Sequence, residues 1–123
     1  MKKNILVVED DIILQKNIKS SLESADFEVD QLFSGQGVMQ KIEQKKPDLI
    51  LLDLMLPKKD GFHILQDIKQ SEELKNIPVI ILTVINTETS VSETKMLGAD
   101  DYLIKSNYSL SEIIEKINKL LKK

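Results

Sequence analysis

Several polar side chains follow short apolar runs in this chain, in a set that could carry out phosphate chemistry. Carboxylates packed together repel one another, and each resists ionisation in a partly dry cleft unless a divalent cation lies between them. Mg²⁺ suits such a site, because it takes oxygen ligands, keeps several waters and often binds phosphate oxygens. The set comprises Glu9, Asp10 and Asp11 after the first run, Asp53 after the third, Thr83 at the end of the fourth and Lys105 after the fifth.

This set predicts an aspartate that accepts a phosphoryl group. Asp53 is the candidate acceptor, since a carboxylate can attack phosphorus and an acid within an otherwise apolar segment is costly to bury. A bound cation would neutralise the incoming phosphoryl group, and Thr83 and Lys105 could hold its remaining oxygens. Taken singly, Asp10 or Asp11 could merely cap the helix that follows, and Lys105 could be a solvated lysine. The joint arrangement favours the chemical interpretation.

The apolar runs predict the strands of a parallel sheet. Each is apolar at every position, which is typical of strands covered on both faces. Phe27–Leu32 alternates apolar and polar residues, which suits an edge strand. Apolar residues recur at helical spacing between the runs, most clearly over Leu110–Leu121, whereas Asn86–Leu97 has few apolar anchors and predicts a weakly held helix. The continuous runs are Ile5–Val8, Leu49–Leu52, Val79–Leu82 and Tyr102–Ile104.

Five strand–helix units in this order predict a single flavodoxin-like α/β domain. The short connections and the edge position of the second strand favour a doubly wound (βα)5 fold with a five-stranded parallel sheet in the order 2-1-3-4-5. Ligands bind such sheets beyond the carboxyl ends of the strands, where the strand order reverses. That point lies between the first and third strands, so we expect Glu9, Asp10 and Asp53 to lie close together.

Composition excludes several classes of function. The chain has 123 residues, which suits one domain, and no cysteine, which excludes a disulfide framework and a thiolate zinc site. All 17 basic residues are lysine, and with 20 acidic residues the net charge of −3 argues against nucleic-acid binding by this domain. Neither a membrane-spanning segment nor a signal peptide is recognisable, so we expect a soluble, cytoplasmic domain.

The sequence resembles the receiver domain of bacterial two-component response regulators over essentially its whole length. The resemblance includes an Asp-x-x-x-Pro-x-x-x-Gly pattern that begins at Asp53 and a Gly-Ala-Asp-Asp-Tyr-x-x-Lys segment that ends at Lys105. We therefore expect residues 1–123 to form one receiver domain, with no output domain in this chain. The matching segments are Ile5–Asp11, Leu52–Gly61, Leu82–Thr83 and Leu97–Lys105.

The resemblance implies a phosphorylation-switched signalling domain that catalyses only its own phosphotransfer and dephosphorylation. Asp53 would receive a phosphoryl group from the phosphohistidine of a sensor histidine kinase or phosphotransfer protein, with Mg²⁺ as cofactor. Glu9 and Asp10 would be the acidic pair of the metal site, which Asp53 and the backbone carbonyl of Met55 would complete.

The resemblance also implies how the signal would leave the domain. Thr83 and Lys105 would contact phosphoryl oxygens, and Tyr102 would be the aromatic switch that turns inward as the Thr83 hydroxyl moves toward the phosphate. The surface formed by the fourth helix, fifth strand and fifth helix would then control a downstream effector or an output domain. A phosphorylation-dependent homodimer fits the resemblance, whereas direct contact with nucleic acid or a membrane does not.

Two positions depart from the family pattern. Ser106 follows Lys105 where the family usually has a proline that is commonly cis. Since a cis bond before serine would cost about 3 kcal/mol more than trans, we predict a trans bond and a slightly displaced Lys105. Val84 stands where the family usually has a small residue, and we predict that it narrows access to the phosphoryl pocket. These departures keep a second interpretation open, a pseudo-receiver that docks proteins without being phosphorylated.

Two further functions fit the residues less well. Phosphohydrolases that resemble the haloacid dehalogenase family carry a second aspartate where this chain has Met55. A flavodoxin-like cofactor carrier would need a glycine-rich phosphate loop after the first strand, where the acidic segment of this chain would repel a phosphate.

Overall fold

The structure, a computed structural model, describes residues 2–122 and has strands and helices that alternate along the chain. The strands pair in parallel in the order β2-β1-β3-β4-β5, which confirms the predicted doubly wound, flavodoxin-like α/β fold. Within residues 2–122, no helix is long and apolar enough to cross a membrane. The elements are β1 (Asn4–Val8), α1 (Ile12–Ser24), β2 (Glu28–Leu32), α2 (Val38–Lys45), β3 (Leu49–Leu52), α3 (Gly61–Gln70), β4 (Val79–Thr83), α4 (Glu88–Leu97), β5 (Asp101–Ile104), a 3₁₀ turn (Lys105–Asn107) and α5 (Leu110–Leu121).

The sheet separates two apolar cores, which explains why its inner strands carry uninterrupted apolar runs, Ile5–Val8, Leu49–Leu52 and Val79–Leu82. In β1, Ile5 and Val7 pack on the side of α1 and α5, whereas Leu6 and Val8 pack on the side of α2 and α3. Because side chains of a strand alternate between its two faces, a strand covered on both sides needs an apolar residue at each position. The buried sheet is therefore a rigid base for the groups at its carboxyl edge.

The edge strand β2 starts one residue later than the sequence analysis predicts. The predicted strand begins at Phe27, but the Phe27 amide donates to the Leu22 carbonyl at the end of α1 (3.0 Å). Pairing with the neighbouring segment begins with the Glu28 amide, which donates to the Lys3 carbonyl (2.9 Å). Phe27 belongs to the α1–β2 turn and fills the core from there.

Helix α4 is held to the sheet mainly by small and polar side chains, as its sparse apolar pattern predicts. Its most buried residues are Ser90 and Thr94, and the Thr94 hydroxyl donates to the carbonyls of Ser90 (3.0 Å) and Val91 (3.1 Å). Met96 is almost fully exposed. The helix ends at Gly98, whose φ of 107° lies in the left-handed region that favours glycine. An element with so few buried apolar contacts can shift at low cost.

Gly61 allows the β3–α3 loop to fold back over the end of β3. The Gly61 amide donates to the Leu54 carbonyl (2.9 Å). A Cβ at position 61 would lie 2.2 Å from the Asp53 carbonyl oxygen and 2.6 Å from the Leu54 Cα, so a side chain fits only if backbone moves. The absence of a side chain here lets α3 start directly beside Asp53.

We predict that Gly61→Ala lowers the free energy of unfolding by about 1–3 kcal/mol, because the methyl group meets backbone atoms that must move. Helix propensity alone would raise the free energy of unfolding, since alanine is a better helix former than glycine by about 1 kcal/mol. A decrease would therefore report the close approach of backbone atoms. Urea unfolding followed by circular dichroism measures the change. Gln70→Ala, at an exposed position of the same helix, is the control and should change stability little. Equal midpoints for Gly61→Ala and the unmodified protein would contradict this close approach.

Candidate phosphoryl-transfer site

The carboxyl ends of the strands surround an open cleft of about 860 Å³. The cleft lies beyond the carboxyl ends of the neighbouring strands β1 and β3, which is the position predicted from the reversal of strand order. Its lining combines acidic residues and one lysine with apolar residues of the loops after β3 and β4. The lining residues are Glu9, Asp10, Asp11, Asp53, Leu54, Met55, Leu56, Pro57, Asp60, Phe62, Val84, Ile85 and Lys105.

Three carboxylates meet in this cleft because β1 and β3 are neighbours. Val8 pairs with Leu52 at the ends of the two strands, so Glu9 and Asp53 are the next residues on each strand. One carboxylate oxygen from each of Glu9, Asp10 and Asp53 lies within 4.8 Å of the others. Glu9 and Asp53 are buried, whereas Asp10 is exposed. An all-oxygen, anionic donor set of this kind fits a hard divalent cation such as Mg²⁺.

Lys105 bridges the two buried carboxylates. Its Nζ lies 2.6 Å from Glu9 Oε1 and 2.8 Å from Asp53 Oδ2. Burial would lower the pKa of Lys105, but its hydrogen bonds with the two carboxylates outweigh this and raise the pKa. The pKa of Glu9 is raised chiefly by burial, against the opposing contacts with Lys105 and the Asp11 amide. The lysine therefore stays protonated at neutral pH and places one positive charge between the two buried acids.

The residues after β5 confirm one expectation about this lysine. Within residues 2–122 there are no cis peptide bonds, so the Lys105–Ser106 bond is trans, as predicted. Lys105 opens a 3₁₀ turn that continues through Ser106 and Asn107. The predicted displacement of Lys105 stays a prediction, and the lysine ammonium contacts Asp53 directly in this structure.

Met55 and Asp11 hold the acidic groups from the flanking backbone. The Met55 amide donates to Asp53 Oδ1 (3.2 Å), and the Asp11 amide donates to Glu9 Oε2 (2.9 Å). Asp11 Oδ1 also accepts a hydrogen bond from the Leu14 amide (3.0 Å), so Asp11 is the N-cap of α1. The helix-capping interpretation therefore holds for Asp11, whereas Asp10 belongs to the group of three carboxylates with Glu9 and Asp53.

Thr83 ends β4 close to the site but does not line the cleft. Its side chain is fully buried, and its hydroxyl has no hydrogen-bond partner within the described residues. A buried hydroxyl without a partner costs about 1–3 kcal/mol. The hydroxyl is thus a hydrogen-bond donor that the unphosphorylated structure leaves unused within the described residues.

Tyr102 lies on the far side of the β4–α4 loop and is half-buried against the core. Its hydroxyl donates to the Ile85 carbonyl (2.8 Å), and burial raises its pKa. Tyr102 also lines a cavity of about 320 Å³ beside α4, together with Val91 and Thr94 of that helix. The tyrosine thereby joins β5 to the loop that carries Ile85 and Val84, which line the cleft.

The structure adds cleft residues that the sequence analysis did not single out. Phe62 and Ile85 form apolar walls, and Asp60 caps α3 by accepting a hydrogen bond from the His63 amide (3.1 Å). Although burial acts in the opposite direction, the hydrogen bonds from His63 lower the pKa of Asp60. Position relative to a strand end could have indicated Ile85, which follows the end of β4 by two residues, but not Asp60 and Phe62, which lie eight and ten residues after β3. His63 itself is exposed and does not line the cleft.

We predict that Thr83→Val raises the free energy of unfolding of the unphosphorylated protein by about 1 kcal/mol, because valine keeps the shape and removes an unpartnered hydroxyl. Thr94→Val is the matched control, since the Thr94 hydroxyl is hydrogen-bonded and its loss should not stabilise. Thermal and urea unfolding in the presence of a chelator measure both. A loss of stability in Thr83→Val would mean that this hydroxyl has a partner in the folded protein.

The chain matches a known protein family by sequence. Residues 5–118 match the response regulator receiver domain. The DNA-binding dual master transcriptional regulator RpaA of Synechocystis sp. is 35% identical over 119 residues, which cover 97% of this chain and 49% of RpaA. The chain thus spans about half the length of the curated relatives it matches.

Solved structures agree with the sequence match. The BeF₃-activated N-terminal receiver domain of Klebsiella pneumoniae RstA has a TM-score of 0.90 at 28% identity, over 98% of this chain and 100% of that one. The Mn²⁺-bound form of the response regulator Rcp1 has a TM-score of 0.87 at 35% identity, over 98% of this chain and 96% of that one. Since the match spans nearly the whole chain and the fold agrees, this chain belongs to the response regulator receiver domain family.

Proposed function

We propose that this chain is a phosphorylation-switched signalling domain in which Asp53 accepts a phosphoryl group from the phosphohistidine of a sensor histidine kinase or phosphotransfer protein. One observation carries the proposal: a buried aspartate has a lysine ammonium 2.8 Å away and two more carboxylates beside it in an open cleft. Membership of the receiver family supports the same chemistry. The domain would catalyse only its own phosphotransfer and dephosphorylation.

Mg²⁺ is the proposed cofactor. The carboxylates of Glu9, Asp10 and Asp53 would hold it, with the backbone carbonyl of Met55 as a further protein ligand. When bound, the cation would supply charge neutralisation for the phosphoryl oxygens. The Mn²⁺-bound form of Rcp1 supports a divalent cation in a domain of this fold.

The protein's own groups would orient and stabilise the phosphoryl group. The Met55 amide holds Asp53 Oδ1, and Lys105 holds Asp53 Oδ2, so the carboxylate is fixed before it attacks. Lys105 can pass from the carboxylate to a phosphoryl oxygen as negative charge arrives on Asp53. Thr83 would give its unpartnered hydroxyl to another phosphoryl oxygen, which removes the cost of its burial.

The switch would pass from Thr83 through the β4–α4 loop to Tyr102 and α4. Because the Tyr102 hydroxyl is bonded to the Ile85 carbonyl, a shift of this loop would change the tyrosine contact. The weakly held α4 would then alter the α4–β5–α5 surface, which would control a downstream effector, an output domain or a phosphorylation-dependent homodimer. Asp101 already pairs with Lys116 on this surface (3.8 Å).

We propose that this domain is cytoplasmic and binds protein partners, with no direct contact with nucleic acid or a membrane. DNA binding by RpaA is a property of that longer protein, and the formal net charge of −3 gives this domain no overall attraction to the polyanionic backbone of a nucleic acid.

Intact mass after incubation with Mg²⁺ and acetyl phosphate tests the proposal. We expect the gain of one phosphoryl group that requires both Mg²⁺ and Asp53, with Asp53→Asn as the matched control. A folded protein that binds Mg²⁺ and gains no mass would contradict phosphoryl acceptance and favour the pseudo-receiver interpretation.

We predict that Val84→Ala speeds loss of the phosphoryl group from Asp53. The Val84 side chain is 60% exposed at the cleft, where its methyl groups narrow the approach of water. A barrier lowered by about 0.5–1 kcal/mol would give decay about 2–5-fold faster. Dephosphorylation followed by mass spectrometry measures both proteins, with exposed Val91→Ala on α4 as the control. Identical decay in Val84→Ala and the unmodified protein would show that Val84 does not limit access.

A further inference from the structure

We propose that Gln15 is a positioning residue for the divalent-cation site. The structure suggests that its side-chain amide fixes the β1–α1 loop, which carries Glu9 and Asp10, to the ends of β1 and β2. This inference rests on the proposed function, because it concerns the cation used in phosphoryl transfer.

Gln15 is a fully buried polar residue in the first turn of α1. Its Nε2 lies 3.1 Å from the Val7 carbonyl oxygen, 3.1 Å from that of Glu9 and 2.9 Å from that of Leu32. These carbonyls belong to the ends of β1 and β2, where the chain leaves the sheet. One side-chain amide therefore joins two strand ends and the loop that bears the acidic pair.

A second glutamine fixes the orientation of this amide. Gln31 Nε2 donates to Gln15 Oε1 (2.8 Å) and to the Gln15 backbone carbonyl (3.0 Å). The nitrogen end of the Gln15 amide faces backbone carbonyls, which only accept, and its oxygen end faces the Gln31 amide nitrogen, which only donates, so the reversed orientation would lose these hydrogen bonds. The pair is held without freedom to flip.

Gln15 thereby holds Asp10 from both neighbouring residues. Its side chain binds the carbonyl of Glu9, and its backbone amide donates to the carbonyl of Asp11 (2.9 Å). Asp10 is exposed, so its position depends on the backbone on either side of it. Groups that orient metal-binding residues in this way typically change metal affinity by about 10–100-fold when they are removed.

Gln15 is a polar residue on the buried, otherwise apolar face of α1. Gln15, Ile18 and Leu22 are the buried residues of α1 and recur at the spacing of one helical face. An apolar residue would be expected at position 15, yet a glutamine occupies it and its Nε2 lies within hydrogen-bond distance of three backbone carbonyls. A polar group at such a position is explained by the loop that it holds.

The test is the Mg²⁺ affinity of the unphosphorylated protein, measured by titration with Mg²⁺ alone and followed by the backbone amide shifts of Glu9, Asp10 and Asp53. Gln15→Met keeps the length of the side chain and removes the donor, and we expect the Kd to rise by about 10-fold. The rate of Asp53 phosphorylation by acetyl phosphate should fall at low Mg²⁺ and recover at saturating Mg²⁺. A purely structural role would lower the unfolding temperature and leave the Kd of the folded protein unchanged.

Gln40→Met makes the same chemical change at an exposed position of α2 and should leave the Kd unchanged. Gln31→Met releases the Gln15 amide without deleting it and should raise the Kd less than Gln15→Met. If Gln15→Met does not fold, Gln31→Met decides the question. An unchanged Kd in folded Gln15→Met and Gln31→Met would overturn this inference alone. Absence of Mg²⁺ binding to the unmodified protein would overturn the proposed function as well.

Discussion

The contact of the Lys105 ammonium with the carboxylates of Glu9 and Asp53 is the interaction on which the site depends. Two acids lie buried at the ends of adjacent strands, and their repulsion would oppose folding if no positive charge lay between them. Lys105 supplies that charge from the end of β5, at 2.6 and 2.8 Å. The parallel sheet makes this contact available, because all its strands end at the same edge.

A rigid base and a loosely held helix share the same chain. The inner strands are covered on both faces, and their residues are almost completely buried. Helix α4, in contrast, buries the hydroxyl-bearing residues Ser90 and Thr94 and leaves Met96 exposed. The first arrangement fixes the acids and the lysine relative to one another. The second permits a change at the cleft to move a surface, because few apolar contacts oppose it.

Most of the site was predictable because its residues follow parallel strands, whose carboxyl ends lie at one edge of the sheet. Uniformly apolar runs identify strands, and residues that follow parallel strands share one edge, so Asp53 and Lys105 were expected to meet. The ordinary cap role of Asp11 was also among the predictions. The amide network of Gln15 and Gln31 and the bond from Tyr102 to the Ile85 carbonyl were not. A glutamine or a tyrosine has several geometries open to it, and only the surrounding backbone selects one.

The sequence by itself determined the fold class, the strand order and the set of polar residues at the carboxyl edge, since these follow from hydrophobic period and chain order. Only the tertiary structure decided which carboxylates Lys105 contacts, that the Thr83 hydroxyl is buried without a partner, and where β2 begins. These outcomes depend on the positions of groups distant in the chain. Hydrogen bonds and desolvation change over fractions of an ångström, whereas residue type and spacing specify only which face or edge a side chain occupies.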